Sequence, residues 1–338
     1  MNILLIQLKR IGDLVLTTPA IAAVREKFPR ANVTLIVSAG TRELLPAIRG
    51  VDRTFIAKGK ISDAAAWFTV ARRRYDYCLD FTRNDRSAFL TALSGARKRV
   101  TADHPKQRVK FRARSYNTLV DRSIRLMHTA DYHLALLEPM GIRDAARTVQ
   151  LDLPAASLTK AEGVLRAAEI HGDFLLLHPG SARAEKFWEP ERWGALIAFA
   201  AERGFPCVVT GGSSPLELAH IAKIKTRTAH PFVDLSGQID LLTLAAAIRR
   251  ARLLVTVDSA PMHLATATQT PQVVLFGPTN PLHWHPRFAP ALVLQAGQPA
   301  PVTEFSPNQK HVAMSQISTE QVIHAMDTLL AAPRGALV

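Results

Sequence analysis

Residues 253–267, LLVTVDSAPMHLATA, combine a buried strand, a polar turn and the start of a helix. Residues 253–257 are apolar and partly β-branched, which is typical of a strand in a parallel sheet. Asp258 and Ser259 are residue types that cap helices, and Pro261 suits a first helical turn, where a missing N–H costs nothing. Such a turn is either an ordinary capped helix start or a phosphate site, since its unpaired N–H groups carry partial positive charge.

The whole chain has the composition of a globular protein. It has 338 residues, of which 48% are hydrophobic and 21% charged. This length indicates about two domains. No apolar run approaches the ~18 residues of a membrane span, and the N-terminal apolar run has no following cleavage site, so we expect no signal peptide.

The two cysteines predict no disulfide. Cys78 and Cys207 each lie in an apolar, strand-like run, YDYCLDF and FPCVVT. We therefore expect two buried free thiols and a cytoplasmic protein.

The net charge of +14 comes from the first half of the chain. Residues 1–168 hold 29 Lys and Arg against 15 Asp and Glu, whereas residues 169–338 are neutral overall. A basic field attracts nucleic acid, an acidic membrane or an acidic substrate, although a solvated loop would have the same composition. The excess is concentrated in Arg97, Lys98, Arg99, Lys106, Arg108, Lys110, Arg112, Arg114, Arg122 and Arg125.

Strand and helix patterns alternate twice along the chain. The alternation predicts an α/β protein of two doubly wound, Rossmann-like parallel sheets whose domains face a central cleft. We expect a first domain at residues 1–156, a second at 157–316, and a C-terminal helix at 317–338 that packs back on the first domain. In the first domain we expect one helix after the turn at 9–13, a helix at 62–74 and a mobile loop at 106–114.

Ligands of such sheets bind beyond the carboxyl ends of the strands. Four turns of the second half, at 179–181, 211–213, 258–260 and 277–279, are rich in Gly, Ser, Thr or Pro and leave backbone N–H groups open. Lys186 follows the first turn and would place a charge on a phosphate. Together these turns predict a nucleotide or sugar-phosphate site.

Several motifs are absent from the sequence. The patterns GxxxxGK[ST], GxGxxG and HExxH do not occur, no two Asp stand at i and i+2, and the His residues show no ligand spacing. We therefore predict phosphate binding without a metal or another cofactor. The chain also lacks a zinc finger, an RNP motif or a basic helix with interleaved aromatic residues, so we expect no nucleic acid partner.

One carboxylate of the first half stands at a functional position. Asp13 ends the loop after the first strand, within LKRIGD. It either caps the next helix or serves a ligand, and Thr18-Pro19 offers a competing helix start. Gly12 beside it would let a substrate approach the backbone.

Five segments taken together resemble glycosyltransferase family 9, the bacterial ADP-heptose:lipopolysaccharide heptosyltransferases with the GT-B fold. They are QLKRIGDLVLTTPAI, HPGSARAEKFWEPERW, TGGSSPLE, VDSAPMHLA and LFGPTNP, in order along nearly the whole chain. Within the family, GDLVLTTP, VDSAPMHLA and the W-x-P step at 284–286 resemble the heptosyltransferase III branch most. The resemblance implies that the first domain binds the acceptor and the second binds the nucleotide-sugar donor.

The resemblance also implies roles for single residues. Asp13 matches the catalytic base, Lys186 the phosphate-binding lysine, and Glu217 the ribose-contacting glutamate. The family's loop hydroxyl matches Ser181 or Gly180. The full donor set is Ser181, Lys186, Gly211, Gly212, Glu217, Asp258, Ser259, Ala260, His263, Gly277 and Thr279. The acceptor set is Arg10, Gly12, Arg112 and Arg114.

By this resemblance the reaction is an inverting transfer of heptose from ADP-heptose to an anionic lipopolysaccharide core. Asp13 would take the proton of the acceptor hydroxyl. Lys186 and the helix start at 259–262 would stabilise the leaving ADP in place of a divalent ion. The protein would work in peripheral contact with the inner face of the inner membrane. The alternatives are another nucleotide-sugar enzyme of this architecture, such as an epimerase or phosphorylase, and a nucleic-acid-binding protein.

Overall fold

The computed structural model describes residues 1–58, 63–109, 111–309 and 311–333. Ser62 and Lys110, which belong to the predicted helix at 62–74 and to the basic segment, lie outside the described residues, as does 334–338. The chain divides into two compact units, Met1–Asp152 and Leu153–Val338. This division falls four residues before the predicted boundary after position 156.

The first unit is built on a six-stranded parallel sheet with the strand order β3-β2-β1-β4-β5-β6. Its strands are β1 Asn2–Gln7, β2 Asn32–Ser38, β3 Arg53–Ala57, β4 Tyr77–Asp80, β5 Lys98–Ala102 and β6 Thr118–Val120. Its helices are α1 Ile11–Val15, α2 Thr18–Lys27, α3 Ala64–Arg72, α4 Asp85–Leu93, α5 Arg112–Ser115 and α6 Thr129–Ala135. The apolar residues 3–6 of the central strand β1 are completely buried, which explains their composition.

Two parts of the first unit differ from the sequence expectation. The helix expected after residue 13 begins earlier, at Ile11, and breaks before α2 starts with Pro19 in its first turn. The loop expected at 106–114 contains the short helix α5, which packs on α4. This segment has no apolar period because polar contacts hold it, including the bond that Arg112 Nε donates to Asp85 Oδ1 at 2.6 Å.

The second unit repeats this topology. Its sheet has the order β12-β11-β10-β7-β8-β9, which is the order of the first sheet when β7 is counted as the first strand, and all its pairs are parallel. Its strands are β7 Leu175–His178, β8 Cys207–Val209, β9 Val233–Asp234, β10 Leu253–Val257, β11 Gln272–Phe276 and β12 Ala291–Gln295. Its helices are α7 Ala155–Ala167, α8 Pro190–Glu202, α9 Pro215–Lys225, α10 Leu241–Arg250, α11 Ala260–Thr268 and α12 Thr319–Ala331. The prediction of two doubly wound parallel sheets is therefore confirmed.

The last helix, α12, belongs to the second unit. Its buried residues Val322, Ala325, Met326 and Leu329 are part of the core formed by the second sheet and α8. The second unit therefore covers the apolar face of this helix, and the expected packing on the first domain stays a prediction.

Both cysteines are buried free thiols, as the sequence predicts. Burial raises the pKa of Cys78 and of Cys207 to about 12. The thiolate is the reactive form of cysteine, so both side chains are chemically inert in the folded protein.

Candidate functional site

The site of the second unit lies where the winding of its sheet reverses. The strands β7 and β10 are neighbours, and the chain leaves their carboxyl ends toward opposite halves of the sheet. Doubly wound sheets bind ligands at this switch point. The loop after β7 carries Lys186, and the loop after β10 begins with Asp258.

Lys186, Asp258 and Thr279 form one buried cluster at this point. Lys186 Nζ lies 2.6 Å from Asp258 Oδ2 and also donates to the Asp258 carbonyl oxygen at 2.8 Å. Thr279 Oγ1 donates to the same carboxylate oxygen at 2.7 Å. Each of the three residues is less than a tenth exposed. The structure thus brings together residues of two of the four predicted turns, at 258–260 and 277–279, with Lys186, which follows a third.

The pairing changes the role expected of Lys186. An ammonium group has three N–H donors, and Asp258 receives two of them, so one remains for a ligand. The neighbouring carboxylate offsets much of the positive charge. Lys186 is therefore a fixed hydrogen-bond donor held by Asp258, and not the isolated point charge that the sequence suggested.

The turn at residue 258 leads directly into α11. Ser259 has an extended backbone and makes no side-chain cap, and its hydroxyl lies 3.3 Å from Thr256 Oγ1. Ala260 is the first residue of α11, Pro261 lies in its first turn, and His263 is buried close to the same end. The uncapped helix start leaves backbone N–H groups that suit an anion.

Two glycines of the neighbouring loops leave room for the carboxylate of Glu217. Its carboxylate accepts from Gly212 N at 3.2 Å and from Ser214 Oγ at 2.9 Å. A Cβ at Gly180 would lie 2.4 Å from Glu217 Oε1, and one at Gly212 would lie 2.5 Å from Oε2. Position 180 therefore has no room for a side chain while Glu217 stays in place.

Three further predicted donor residues make contacts within the protein. Ser181 Oγ accepts from Arg183 N at 3.3 Å. A Cβ on Gly211 would lie 2.5 Å from Ile221 Cδ1, and one on Gly277 would lie 2.5 Å from Met314 Sδ. These two glycines permit close contacts within the protein.

A cavity of about 600 Å³ is lined in part by residues on either side of Lys186 in the chain and in part by residues 311–315. Phe187, Trp188, His220 and His311 are among its lining residues, and no residue of the predicted donor set lines it. The ring of Phe187 stacks on that of His220 with the centroids 4.2 Å apart. The residues predicted to bind phosphate thus lie outside the lining of this cavity.

In the first unit, Asp13 lies in α1, beyond the carboxyl end of β1. The helix N-cap is Arg10, whose side chain makes no cap bond, so Asp13 is not a capping residue. The Asp13 side chain is 18% exposed, and Lys9 Nζ lies 3.5 Å from its Oδ1. Gly12 is buried beside it. Asp13 is an accessible carboxylate with one neighbouring cation.

A buried network that sequence reasoning missed supports the Asp13 turn. Thr17 Oγ1 donates to the Asp13 carbonyl oxygen at 2.7 Å and accepts from Gln7 Nε2 at 3.0 Å. His133 Nδ1 lies 3.1 Å from the same hydroxyl. Burial lowers the pKa of His133 to about 3, so the ring is neutral and fixes the turn without adding charge. Only the tertiary fold brings His133 to α1.

Asp80, at the end of β4, organises the neighbouring loop and was also missed. It is completely buried and accepts from Thr82 N, Arg83 N and Ser87 Oγ, and from the Tyr116 hydroxyl at 2.5 Å. Burial raises the pKa of this carboxyl group despite these bonds. Asp80 thereby fixes the backbone that follows β4.

The predicted acceptor residues are only partly brought together. Arg112 donates to Asp85 Oδ1 and, at 3.4 Å, to the Arg83 carbonyl oxygen, which places it beside the loop after β4. Arg10 and Arg114 are exposed, and within the described ranges neither forms an ion pair. The same part of the chain contains no group of three His, Cys, Asp or Glu side chains suited to a metal ion.

Two doubly wound parallel sheets with equal strand order, each with polar residues at its switch point, define a protein of the GT-B class. The model of Glycosyltransferase family 9 (heptosyltransferase) matches residues 64–309, and the chain belongs to this family. The family resemblance read from the motifs is therefore confirmed.

Known relatives and structures agree with this assignment. The chain is 27% identical to a lipopolysaccharide heptosyltransferase 3 of Escherichia coli over 94% of this chain and 96% of the relative. A glycosyl transferase family 9 structure from Veillonella parvula is 26% identical, with a TM-score of 0.83 and 97% of each chain covered. The E. coli heptosyltransferase WaaC with ADP has a TM-score of 0.70 over 97% of both chains at 19% identity, which shows a shared fold.

Proposed function

We propose that this protein transfers a heptose from ADP-heptose to the inner core of lipopolysaccharide. Family membership and the similarity to lipopolysaccharide heptosyltransferase 3 support this choice of substrates. The observation that carries it is the switch point of the second sheet, where Lys186, Asp258 and the uncapped start of α11 meet. This arrangement suits a diphosphate.

For the donor, we propose that the remaining N–H of Lys186 and the first N–H groups of α11 hold the phosphates. Glu217 would accept from the ribose hydroxyls with the carboxylate lone pairs that Gly212 and Ser214 leave open. These donors stabilise the negative charge that develops on the leaving ADP, which makes a divalent ion unnecessary in this proposal.

For the chemical step, we propose an inverting transfer with Asp13 as general base. The acceptor hydroxyl attacks the anomeric carbon, the bond to ADP breaks, and Asp13 takes the hydroxyl proton. One carboxylate suffices because no glycosyl-enzyme forms. The partial exposure of Asp13 and the fixed position of its turn, through Thr17, support this role.

We also propose that the first unit works in peripheral contact with the cytoplasmic face of the inner membrane. Among the described residues, no helix has the length and apolarity needed to cross a bilayer. A surface formed by α3, α4 and the segment around α5, which we term the aromatic-basic surface, carries exposed Phe68, Phe89 and Phe111. The Arg72 guanidinium lies 4.3 Å from the Phe68 ring centroid. Exposed aromatic and basic side chains together suit an anionic lipid surface.

The decisive experiment supplies purified protein with ADP-heptose and a lipopolysaccharide core that lacks the transferred heptose. We expect ADP release that depends on the acceptor, a product with one added heptose and an inverted anomeric centre by NMR. UDP- and GDP-linked sugars serve as donor controls. Conversion of the donor without any acceptor would identify the epimerase alternative instead.

A further inference from the structure

The first sheet has its own switch point, between β1 and β4. The proposed reaction uses a residue of the loop after β1 and none of the loop after β4. The loop after β1 carries Asp13, and the loop after β4 contains Arg83. Because both loops leave the carboxyl edge of neighbouring strands, their side chains border the same crevice. Arg83 is therefore a basic residue at the same switch point as Asp13.

The backbone of Arg83 is strained, and the surrounding structure maintains the strain. Its φ is +65°, a left-handed conformation that a side chain disfavours. Asp80 Oδ1 accepts from the Arg83 N–H at 3.0 Å. Gln107 Nε2 donates to the Arg83 carbonyl oxygen at 3.3 Å, and Arg112 donates to it as well. Strain of this kind persists where a site needs one particular geometry.

The guanidinium of Arg83 is positioned but unpaired. It lies 4.7 Å from the centroid of the Tyr132 ring, and its Nε is buried without a hydrogen-bond partner. In the ranges that the structure describes, no carboxylate lies within ion-pair distance of it. The residue is only partly exposed. A half-buried cation without a counter-ion is unfavourable unless an anion binds there.

Direct contacts connect this cation to the Asp13 turn. Tyr132, under the guanidinium, is followed by His133, which contacts Thr17, and Thr17 donates to the Asp13 carbonyl oxygen. Lys9 and Arg83 both contribute to the lowered pKa of His133, so both cations lie near this ring. Asp13 and Arg83 thus border one polar crevice.

We propose that Arg83 binds an acidic group of the acceptor, a carboxylate or a phosphate, and so positions the acceptor hydroxyl at Asp13. This inference rests on the proposed function and deepens it, since it names the chemistry by which the first unit recognises its substrate. The planar guanidinium suits two parallel hydrogen bonds to either oxyanion. Stacking on Tyr132 holds it in the required plane.

The test compares Arg83→Gly, Arg83→Lys and, as a control, Arg97→Gln. Glycine accepts the left-handed backbone, so Arg83→Gly removes the guanidinium without endangering the fold. Arg97 is an exposed cation before β5, at the opposite edge of the sheet, and its loss removes the same charge. We expect Arg83→Gly to raise KM for the acceptor about tenfold or more while KM for ADP-heptose stays within twofold. Arg83→Lys should be intermediate and Arg97→Gln unchanged.

Calorimetry with a lipid-free core oligosaccharide, with and without its phosphates, measures the same contact without any donor. If Arg83→Gly weakens binding of the phosphorylated oligosaccharide but not of the dephosphorylated one, the group that Arg83 binds is a phosphate. If it weakens binding of both equally, the group is a carboxylate. Equal acceptor affinity in wild type and Arg83→Gly would overturn the proposal. Failure of heptose transfer with intact, Arg83-dependent oligosaccharide binding would overturn the proposed reaction alone.

Discussion

Lys186 and Asp258, 72 positions apart in the chain, meet at 2.6 Å across the switch point of the second sheet. The pair is almost fully buried, and Thr279 completes it. Removing one member of a buried pair leaves an uncompensated charge, which typically costs about 3–5 kcal/mol. Changes to this pair should therefore alter both the free energy of unfolding and donor binding, and single and double variants separate the two effects.

We predict that Lys186→Ala lowers the free energy of unfolding markedly and weakens ADP binding at least tenfold. The double variant Lys186→Ala/Asp258→Ala should recover much of the stability but none of the ADP affinity, because the buried charge is gone while the phosphate donor is still missing. Urea unfolding and calorimetric titration with ADP measure the two effects. Wild-type ADP affinity in Lys186→Ala would refute the phosphate role.

For Asp13 we predict that Asp13→Asn keeps ADP binding and loses about 10²–10⁴-fold in heptose transfer. The amide has the size of the carboxylate but cannot accept the proton. Asp121→Asn, a change of an exposed carboxylate of the same unit, is the matched control and should transfer at the wild-type rate. Turnover of Asp13→Asn near that of wild type would exclude Asp13 as the base.

Gly180→Ala should act through Glu217. The new methyl group meets only the end of a flexible side chain, so we expect a small change in stability and a displaced carboxylate. Donor affinity should fall about as much as in Glu217→Gln, and the two changes should not be additive. Gly163→Ala, within α7 and with open space around its Cβ, is the control and should leave ADP binding unaltered. Additive losses would show that position 180 acts independently.

The stability of each unit should fall in mild acid because of buried histidines, which are His133 in the first unit and His178 and His220 in the second. Burial lowers the pKa of His178 to about 4 and that of His133 to about 3, against 6.5 for the free side chain. Below pH 6.5 these histidines bind protons in the unfolded chain but stay neutral in the folded protein. The free energy of unfolding therefore decreases as the pH falls toward 4. We expect about 1–2 kcal/mol per histidine at pH 5.

Urea unfolding between pH 7.5 and 5 checks this dependence. His178→Gln should flatten the curve, whereas the exposed His230→Gln should leave its slope as in wild type. If the free energy of unfolding depends on pH in both His178→Gln and His133→Gln as it does in wild type, these buried histidines do not cause the acid sensitivity.

The aromatic-basic surface predicts binding to anionic vesicles. Phe68→Gln/Phe89→Gln should reduce co-sedimentation with phosphatidylglycerol vesicles several-fold and leave transfer to a lipid-free acceptor unchanged. The control is Phe288→Gln in the second unit, an equally exposed ring with Arg287 at 5.4 Å. If the control variant loses as much binding as the double variant, the surface has no special role.

The topology of both sheets was predictable from the sequence, because strands and helices alternate and the apolar runs are long. The short strands β6 and β12 were not, since they lie in segments that the pattern did not mark as strands. The contacts of α12 with α8 and the second sheet could not be predicted, because an amphipathic pattern shows that a helix has a buried face and not what covers it.

The candidate site was predictable as a set of positions and not as a set of contacts. Lys186, Asp258 and Glu217 could each be named from motifs, whereas the Lys186–Asp258 pair depends on strands that only the fold makes adjacent. Arg83 was missed for a different reason. In the sequence TRNDR it is one basic residue among many, and neither its left-handed backbone nor its missing counter-ion can be read from residue type.

The two sheets have the same strand order. The crevice at each switch point therefore follows from the path of the chain and not from the side chains that border it. In the first sheet the carboxylate Asp13 follows β1 and the cation Arg83 follows β4, whereas in the second sheet the cation Lys186 follows β7 and the carboxylate Asp258 follows β10. Side chains at positions 13, 83, 186 and 258 thus stand at corresponding places on two frames of the same plan. Directed evolution toward other acceptors should begin at position 83 and keep Asp13, Lys186 and Asp258, on which the proposed reaction and the stability of the second unit depend.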